Sequence, residues 1–296
     1  MASIWHNFWF KPIDVRQYAI LRIAFGFLSA LYIAKLLPFA DVHFSHAGWL
    51  IDFDHHGIPN WGSWSVFNLA IDPYYARQYC FGVFMVGIAA AIAMMLGWQT
   101  RVATFITWVV LVSLWNKNPL LLDGDDAVLK VMAFYLIFSP CGWAWSVDAR
   151  TRHQPPFAAI WPLRLIQFQI ALLYFVSGWV KFHSSEWLDG TVLQYVLIHP
   201  QYARFNLSAL LHNDFFINLL VIITGFIRWW ELLFPLLLLN RYLRWLSLLI
   251  GVLFHIGLFI FMTLRWFPVI MLALYPALLS SAEFIRLIEH YRRFTK

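Results

Sequence analysis

The segment Leu163–Lys181 reads LRLIQFQIALLYFVSGWVK and is long and apolar enough to cross a lipid bilayer as a single helix. It ends in Lys181, whose ammonium is costly to hold at membrane depth, so this lysine is a candidate functional residue. Desolvation penalises the cation, and a neutral amine can act as a general base. The alternative is that the four-carbon stem lies in lipid while the charge reaches the interface.

The composition is that of a membrane protein. Hydrophobic residues make up 61% of the 296 residues and charged residues only 12%, a balance that excludes an ordinary soluble domain. The net charge of +6 comes from basic residues in short loops and tails between the apolar runs, so we expect no nucleic-acid partner. The 17 tryptophans suit a protein with two membrane interfaces. We predict an all-α polytopic membrane helix bundle, in which residues 1–296 form one transmembrane domain without a large extramembrane domain.

Long apolar runs predict about eight transmembrane helices. They fall at Gln17–Leu37, Gln78–Leu96, Val102–Trp115, Ala127–Pro140, Leu163–Val180, Phe215–Asn240, Leu243–Met262 and Trp266–Ile288. Lys and Arg concentrate in the segments that face the cytoplasm if both termini are cytoplasmic, as the positive-inside rule requires. Lys181 then opens to the outside, which is the periplasm for the bacterial inner membrane that we expect, or the lumen in a eukaryotic compartment.

The residues around Lys181 bear on its role. Ser177 lies one turn earlier on the same helix face, and Gly178 is small enough to let a neighbouring helix approach closely. Glu186, in the polar segment that follows, could pair with Lys181 and hold it charged. The base hypothesis therefore requires a cavity beside the lysine nitrogen. It fails if that nitrogen points into solvent, or if a carboxylate clamps it with no cavity next to it.

Other polar residues also fall inside the predicted spans or at their ends. His255 lies in the middle of the seventh helix and is a candidate catalytic residue, although a lone buried histidine can also be a hydrogen-bonded structural residue. Arg228 and Glu231, one turn apart in the sixth helix, are predicted to form a structural ion pair. Asn116 and Asn118, at the outer end of the third helix, could hydrogen-bond a carbonyl or phenolic oxygen of a ligand, or cap the helix end.

The loop between the first two spans, residues 38–77, carries several acidic and histidine side chains. They could ligate a divalent metal, but they lack the ligand spacings of structural or catalytic sites, so we predict no metal site. The residues concerned are His43, His46, Asp52, Asp54, His55 and His56.

Five short motifs occur in an order that is typical of one family. They are LRIAFG at residues 21–26, MLG at 95–97, WN at 115–116, WSVD at 145–148 and YFVSGWVK at 174–181, the last followed by Trp187 and Gly190. With this set, the chain resembles the transmembrane domain shared by vitamin K-dependent gamma-carboxylase and the bacterial horizontally transferred transmembrane domain (HTTM) proteins. The resemblance covers nearly the whole chain.

The resemblance implies a chemistry for these residues. In the carboxylase, the lysine that matches Lys181 deprotonates vitamin K hydroquinone; oxygen then adds, and the oxidised species removes a gamma proton from a glutamate, which captures carbon dioxide. By resemblance, we expect Lys181 to be the catalytic base and reduced vitamin K or a menaquinol-like hydroquinone to be the cofactor. From its position inside the membrane, we expect His255 to be a second catalytic residue. O2 and CO2 are candidate co-substrates, in lyase or ligase chemistry. The expected quinone-binding residues are Asn116, Asn118, Ser177, Trp179 and Trp187.

Two departures limit this comparison. Trp115-Asn116 leads into Lys117-Asn118-Pro119 rather than into the histidine implicated in the carboxylase, so Asn118 is its nearest counterpart. The carboxylase also has a large lumenal region that handles its protein substrate; without it, a secreted peptide substrate would need the short outer loops or a partner protein. The alternative function is a non-enzymatic membrane maturation, export or immunity factor for a secreted peptide. Transport is least favoured, because no inverted repeat is evident.

Overall fold

The computed structural model describes residues 2–45, 64–69, 72–118, 121 and 123–294. Helices dominate this part of the chain, and its only strands are Pro12–Asp14 (β1) and Phe157–Ala159 (β2), which pair antiparallel. The prediction of an all-α polytopic membrane helix bundle is confirmed. The helices are α1 Ala2–Phe10, α2 Arg16–Leu36, α3 Ala40–Phe44, α4 Ala76–Leu96, α5 Thr100–Lys117, α6 Gly124–Ile137, α7 Val147–Thr151, α8 Trp161–Lys181, α9 Ser185–Leu188, α10 Val192–Val196, α11 Asp214–Leu237, α12 Arg241–Phe261, α13 Phe267–Leu274 and α14 Ser281–Phe294.

Within the described ranges, five helical segments are long and apolar enough to cross a membrane. They are Arg16–Phe44, which joins α2 and α3 through a 3-10 turn, and the helices Ala76–Leu96, Trp161–Lys181, Asp214–Leu237 and Arg241–Phe261. The predicted third and fourth spans are the helices α5 and α6, which fall outside this set; α6 has only 14 residues, against the roughly 20 that a bilayer requires. The predicted eighth span, Trp266–Ile288, is wrong as a single helix. Helix α13 continues into a 3-10 turn, Tyr275–Leu278, and the helix is then interrupted before α14 begins at Ser281. If that broken pair is one span, the candidates number six. The count of eight and the orientation stay predictions.

The chain divides into two compact units. The first contains Met1–Arg164 and Leu279–Lys296, and the second contains Leu165–Leu278. Helix α8 begins at Trp161, so its first four residues count with the first unit and the rest with the second. The single domain expected for residues 1–296 stays a prediction.

In the first unit, Arg22 ties together the ends of several segments. Its side chain is fully buried in α2 and donates to the backbone carbonyls of Met94, Met95, Cys141, Ala144 and Trp145. Carbonyls at the end of a helix such as α4 lack partners within it, and a guanidinium with five N–H groups can satisfy several at once. Gly97 leaves room for this, since a Cβ there would lie 2.4 Å from a guanidinium nitrogen. Three of the family-like motifs therefore meet at a structural junction.

In the same unit, the Asp148 side chain caps the N-terminus of α5. Its carboxylate accepts hydrogen bonds from the backbone N–H groups of Gln99 and Thr100, at 2.9 and 2.8 Å, and from the Thr100 hydroxyl at 2.6 Å. Burial acts to raise the pKa of this carboxyl, but the hydrogen bonds from Thr100 and Gln99 outweigh it and hold the pKa below its usual range. The negative charge thus lies where the helix dipole favours it.

In the second unit, Gly178 brings α8 against α11. A Cβ at this position would lie 2.4 Å from a backbone nitrogen of α11, closer than atoms can approach. Tyr174, one turn earlier, stacks on Phe234 of α11 with ring centroids 4.0 Å apart, and Trp230 Nε1 donates to Ser247 Oγ of α12 at 2.9 Å. Helices α8, α11 and α12 therefore form a close-packed group, which fixes the polar side chains between them.

Candidate functional site

Lys181 lies at the end of α8 and is held by two partners. Its Nζ donates to Glu231 Oε2 at 2.5 Å and to Ser177 Oγ at 2.7 Å, and the Ser177 hydroxyl donates to the same Glu231 oxygen at 3.0 Å. The lysine side chain is 15% exposed and the glutamate side chain 5%, so the ion pair is largely removed from water. The close approach of α8 and α11 at Gly178 explains how a carboxylate on α11 reaches the end of α8.

The predicted ion pair between Arg228 and Glu231 is wrong. Glu231 pairs with Lys181 instead, and Arg228 donates to the backbone carbonyl of Trp187 at 2.8 Å, with its guanidinium carbon 4.6 Å from the centre of the Phe182 ring. Residues one turn apart on a helix can reach each other, but each can also point to a different neighbour. Here Arg228 and Glu231 each interact with a group from another segment instead of with each other.

The short helix α9 places Trp187 over Lys181. The lysine Nζ lies 4.8 Å from the centre of an indole ring, within the range of a cation–π contact. Glu186, in the same helix, was the alternative partner for Lys181, but it does not pair with the lysine: it is exposed and accepts a hydrogen bond from the Ser184 hydroxyl at 2.7 Å. Arg228 thus tethers the backbone of Trp187, while the indole ring of Trp187 lies over the lysine nitrogen.

A cavity of about 210 Å³ borders Lys181, and all its lining residues belong to the second unit. Its walls are mainly apolar, with Val192, Leu193, Ile227, Leu258, Phe267 and Met271 among them. The polar side chains at its surface are those of Tyr174, Ser177, Lys181, Trp187, Glu231 and His255. A carboxylate holds the lysine nitrogen, but the cavity beside it leaves the base hypothesis standing. The volume is below the roughly 300–1,000 Å³ of drug-sized ligand sites, so it suits a single small ring system.

His255 reaches the same cavity from α12 and is 1% exposed. Its Nε2 lies 2.8 Å from the hydroxyl of Tyr174, and that hydroxyl lies 2.9 Å from the hydroxyl of Tyr275. The other ring nitrogen, Nδ1, is buried and has no hydrogen-bond partner within the described part of the chain. His255 therefore has one ring nitrogen held by a protein group and one buried ring nitrogen without a hydrogen-bond partner among the described residues.

The structure brings together some of the predicted quinone-binding residues and not others. Ser177 and Trp187 line the cavity with Lys181. Trp179 does not: it is 53% exposed, and its ring contacts those of Phe175 and His183 on its own segment. A helix of 3.6 residues per turn explains the difference, because residue 179 lies half a turn from residues 177 and 181.

Asn116 and Asn118 lie in the first unit and are absent from the cavity lining. The Asn116 side chain donates to the carbonyl of Trp64 at 2.8 Å, and the buried Asn118 side chain donates to the carbonyl of His43 at 3.3 Å. Both amides thus hold neighbouring segments of that unit, and their ligand-binding role stays a prediction. Of the side chains considered for a metal site, only His43 falls in the described ranges; the others lie outside the described residues.

Two features of the site were missed from the sequence, namely the Lys181–Glu231 pair and the two tyrosines beside His255. A signal for one tyrosine was present. Tyr174, Ser177 and Lys181 are spaced by three and four residues, which places them on one face of α8, and a tyrosine hydroxyl buried in an apolar helix requires a partner. No comparable signal pointed to Tyr275.

The comparisons with known proteins agree with this architecture. The model of the HTTM domain matches residues 10–282. The sporulation-delaying protein SdpB of Bacillus subtilis (strain 168) is 22% identical over 251 residues, which cover 81% of this chain and 73% of SdpB. The uncharacterized protein YitO of the same organism is 30% identical over 115 residues, only 36% of this chain and 37% of YitO. No solved structure matches. Because the family match spans nearly the whole sequence, the chain belongs to the HTTM domain family of membrane proteins.

Proposed function

We propose that this protein is a membrane enzyme related to vitamin K-dependent gamma-carboxylase, which binds a hydroquinone-like lipid in the cavity of the second unit and removes a proton from it with Lys181. The observation that carries the proposal is the position of the Lys181 nitrogen, paired with a buried carboxylate and bordering an apolar cavity. The HTTM domain is related to the transmembrane domain of the carboxylase. We further propose a bacterial inner membrane, with the cavity towards the periplasm.

The cavity fits such a ligand in size and in polarity. Its apolar walls suit an aromatic ring, and a volume of about 210 Å³ leaves the lipid tail of a quinol outside it. Lys181 and His255, whose Nδ1 has no hydrogen-bond partner in the described part of the chain, are two separate polar groups at the cavity that can contact oxygen atoms of the ligand. A mostly apolar site with a few fixed polar groups is the usual form of a cofactor site.

The Lys181–Glu231 pair can move a proton without creating a net charge. As an ammonium, Lys181 cannot accept a proton, but transfer of its proton along the short contact to Glu231 leaves a neutral amine and a neutral acid. In a low-dielectric site the loss of two opposite charges together is far less costly than the isolation of one. The neutral amine can then take the proton of a ligand hydroxyl, and the ammonium that forms stabilises the resulting oxyanion. A deprotonated hydroquinone, when bound, supplies the reactivity towards oxygen.

The test is a turnover assay on the whole chain in nanodiscs, with reduced vitamin K or menaquinol as substrate under oxygen and the epoxide product measured by mass spectrometry. We expect activity in the wild type and none in Lys181→Ala or Lys181→Arg, because arginine keeps the charge but cannot serve as a base. Lys130→Ala is a matched control, since Lys130 is also a helical lysine over a tryptophan ring, 3.6 Å from that of Trp115, but lies in the first unit.

A folded Lys181→Ala protein that still forms the epoxide would overturn the proposal. So would a wild type that forms none with either quinol. In that case the non-enzymatic alternative becomes the better description, and Lys181→Ala should retain the protein's effect on export of, or protection from, a secreted peptide.

A further inference from the structure

Three side chains form a continuous hydrogen-bonded row, and two of them, Tyr174 and His255, line the cavity. Tyr275 Oη lies 2.9 Å from Tyr174 Oη, which lies 2.8 Å from His255 Nε2. All three residues are buried, with exposures of 8%, 2% and 1%. Gly251 leaves space for Tyr275, since a Cβ at position 251 would overlap the Tyr275 hydroxyl. The row is therefore built into the packing of the second unit.

The direction of these hydrogen bonds follows from counting donors. Among the described residues, the Tyr275 hydroxyl has the Tyr174 hydroxyl as its one hydrogen-bond partner, whereas the Tyr174 hydroxyl has two. If Tyr174 donated to Tyr275, the proton of Tyr275 would be buried without an acceptor, which is strongly unfavourable. The favoured order is therefore donation from Tyr275 to Tyr174, and from Tyr174 to His255 Nε2.

This order fixes the tautomer of the histidine. When Nε2 accepts a hydrogen bond, a neutral imidazole carries its proton on Nδ1. Nδ1 is the ring nitrogen that is buried without a partner in the described part of the chain, and His255 lines the cavity. A buried N–H group without an acceptor calls for one, and a ligand oxygen in the cavity would supply it.

We propose that His255 is a neutral hydrogen-bond donor that recognises an acceptor oxygen of the ligand through Nδ1–H, and that Tyr174 is the positioning residue that holds this tautomer. Tyr174 lies two turns from Lys181 along α8, a separation of about 10 Å along the axis. The ligand class is accordingly a ring compound with oxygens at two opposite ends, one facing the lysine and the other facing the histidine. The inference rests on the proposed function in requiring the same cavity as the binding site.

The tautomer can be measured without turnover or ligand. In the whole chain in nanodiscs, labelled with ¹⁵N-histidine, the side-chain signals of His255 are identified by their loss in His255→Asn. We expect the Nδ1–H form in the wild type and in Tyr275→Phe, where Tyr174 still has a proton to donate. We expect a mixture of tautomers in Tyr174→Phe, where that donor is gone. An Nε2–H form in the wild type would overturn the inference.

Ligand recognition is measured with menadione, which has two carbonyl oxygens, and 2-methylnaphthalene, which has the same ring without them. Affinities come from tryptophan quenching, corrected with empty nanodiscs. We expect His255→Phe to weaken menadione binding about tenfold and to leave 2-methylnaphthalene within about twofold. His255→Asn should retain most of the menadione affinity, because its amide N–H can take the place of Nδ1–H. It also serves as a control for folding when residue 255 is changed.

The outcomes separate this inference from the proposed function. Equal menadione affinity in the wild type and His255→Phe, or a water-filled site in which Nδ1–H is unaffected by menadione, would refute the role of His255 and leave Lys181 as the base. No binding of menadione to the wild type would refute both. The expected tautomer together with the selective loss in His255→Phe supports the inference.

Discussion

Removal of Glu231 alone should destabilise the protein more than removal of both members of its ion pair. In Glu231→Leu, the Lys181 ammonium is left in a site where its side chain is only 15% exposed. Breaking a buried pair in this way costs about 3–5 kcal/mol of unfolding free energy. The ammonium keeps the Ser177 hydroxyl and the Trp187 ring as neighbours, so we expect the lower end, about 3 kcal/mol.

The double variant Lys181→Met/Glu231→Leu carries no unpaired charge and should lie within about 1 kcal/mol of the wild type, since well-packed apolar residues replace a buried pair at little cost. The assay is reversible unfolding by sodium dodecyl sulfate in mixed micelles, followed by tryptophan fluorescence and circular dichroism. The four proteins of the cycle give the coupling energy directly. A Glu231→Leu variant as stable as the wild type, or a double variant as unstable as the single one, would refute the view that the pair is buried and mutually dependent.

Three further predictions concern single contacts, two of them measured by the same unfolding and one by amide hydrogen exchange. Gly178→Ala should cost about 1–3 kcal/mol because its Cβ would meet the α11 backbone, whereas Gly225→Ala, where nothing lies within 4 Å, should be neutral or slightly stabilising; equal effects would contradict the close approach. Arg228→Gln should release the backbone of Trp187 and speed amide hydrogen exchange in α9, with little change elsewhere; unchanged exchange would argue against this tether. The folded-state pKa of Asp148 is lowered, so its stabilising contribution is complete above the unfolded value of about 3.9 and is lost as the pH falls below it. The advantage of the wild type over Asp148→Asn should therefore persist from pH 7 to about pH 4 and shrink below, and a pH-independent difference would contradict it.

The sequence identified one side of the site but not its partner. The apolar run that ends in Lys181, and the spacing from Ser177 to Lys181, place both side chains on one helix face, as the structure has them. The actual partner, Glu231, was assigned to Arg228 instead, because spacing along a helix is visible in a sequence. Which residue of another helix approaches Lys181 depends on how α8 and α11 pack, and a single small residue such as Gly178 permits a close contact without saying where it leads.

The spans show the same limit. Five of the eight predicted spans correspond to long apolar helices, because hydropathy and length are properties of the local sequence. The predicted eighth span failed as one helix because the backbone leaves the helix at Leu279 and Ser280, where hydrogen bonds between Ser280 and Glu283 cap the new helix α14. Hydropathy reports how well a segment dissolves in lipid, and it is nearly blind to a short break in helical hydrogen bonding.

The Lys181–Glu231 pair has a consequence for how a base can exist in this site at all. Without a partner, a lysine in an apolar cavity holds its proton only as an isolated cation, which the surroundings disfavour. A partner carboxylate removes that conflict, because the charged and neutral forms of the pair have the same net charge and the proton need move only between two groups already in contact. Glu231→Gln should therefore abolish turnover in protein that still folds with Lys181 in place, since an amide can accept the lysine's hydrogen bond but cannot take its proton. Its unfolding free energy should fall, as in Glu231→Leu, because the ammonium again lacks a compensating charge. Turnover in that variant at the wild-type rate would show that Lys181 loses its proton by another route, and would assign Glu231 a purely structural role.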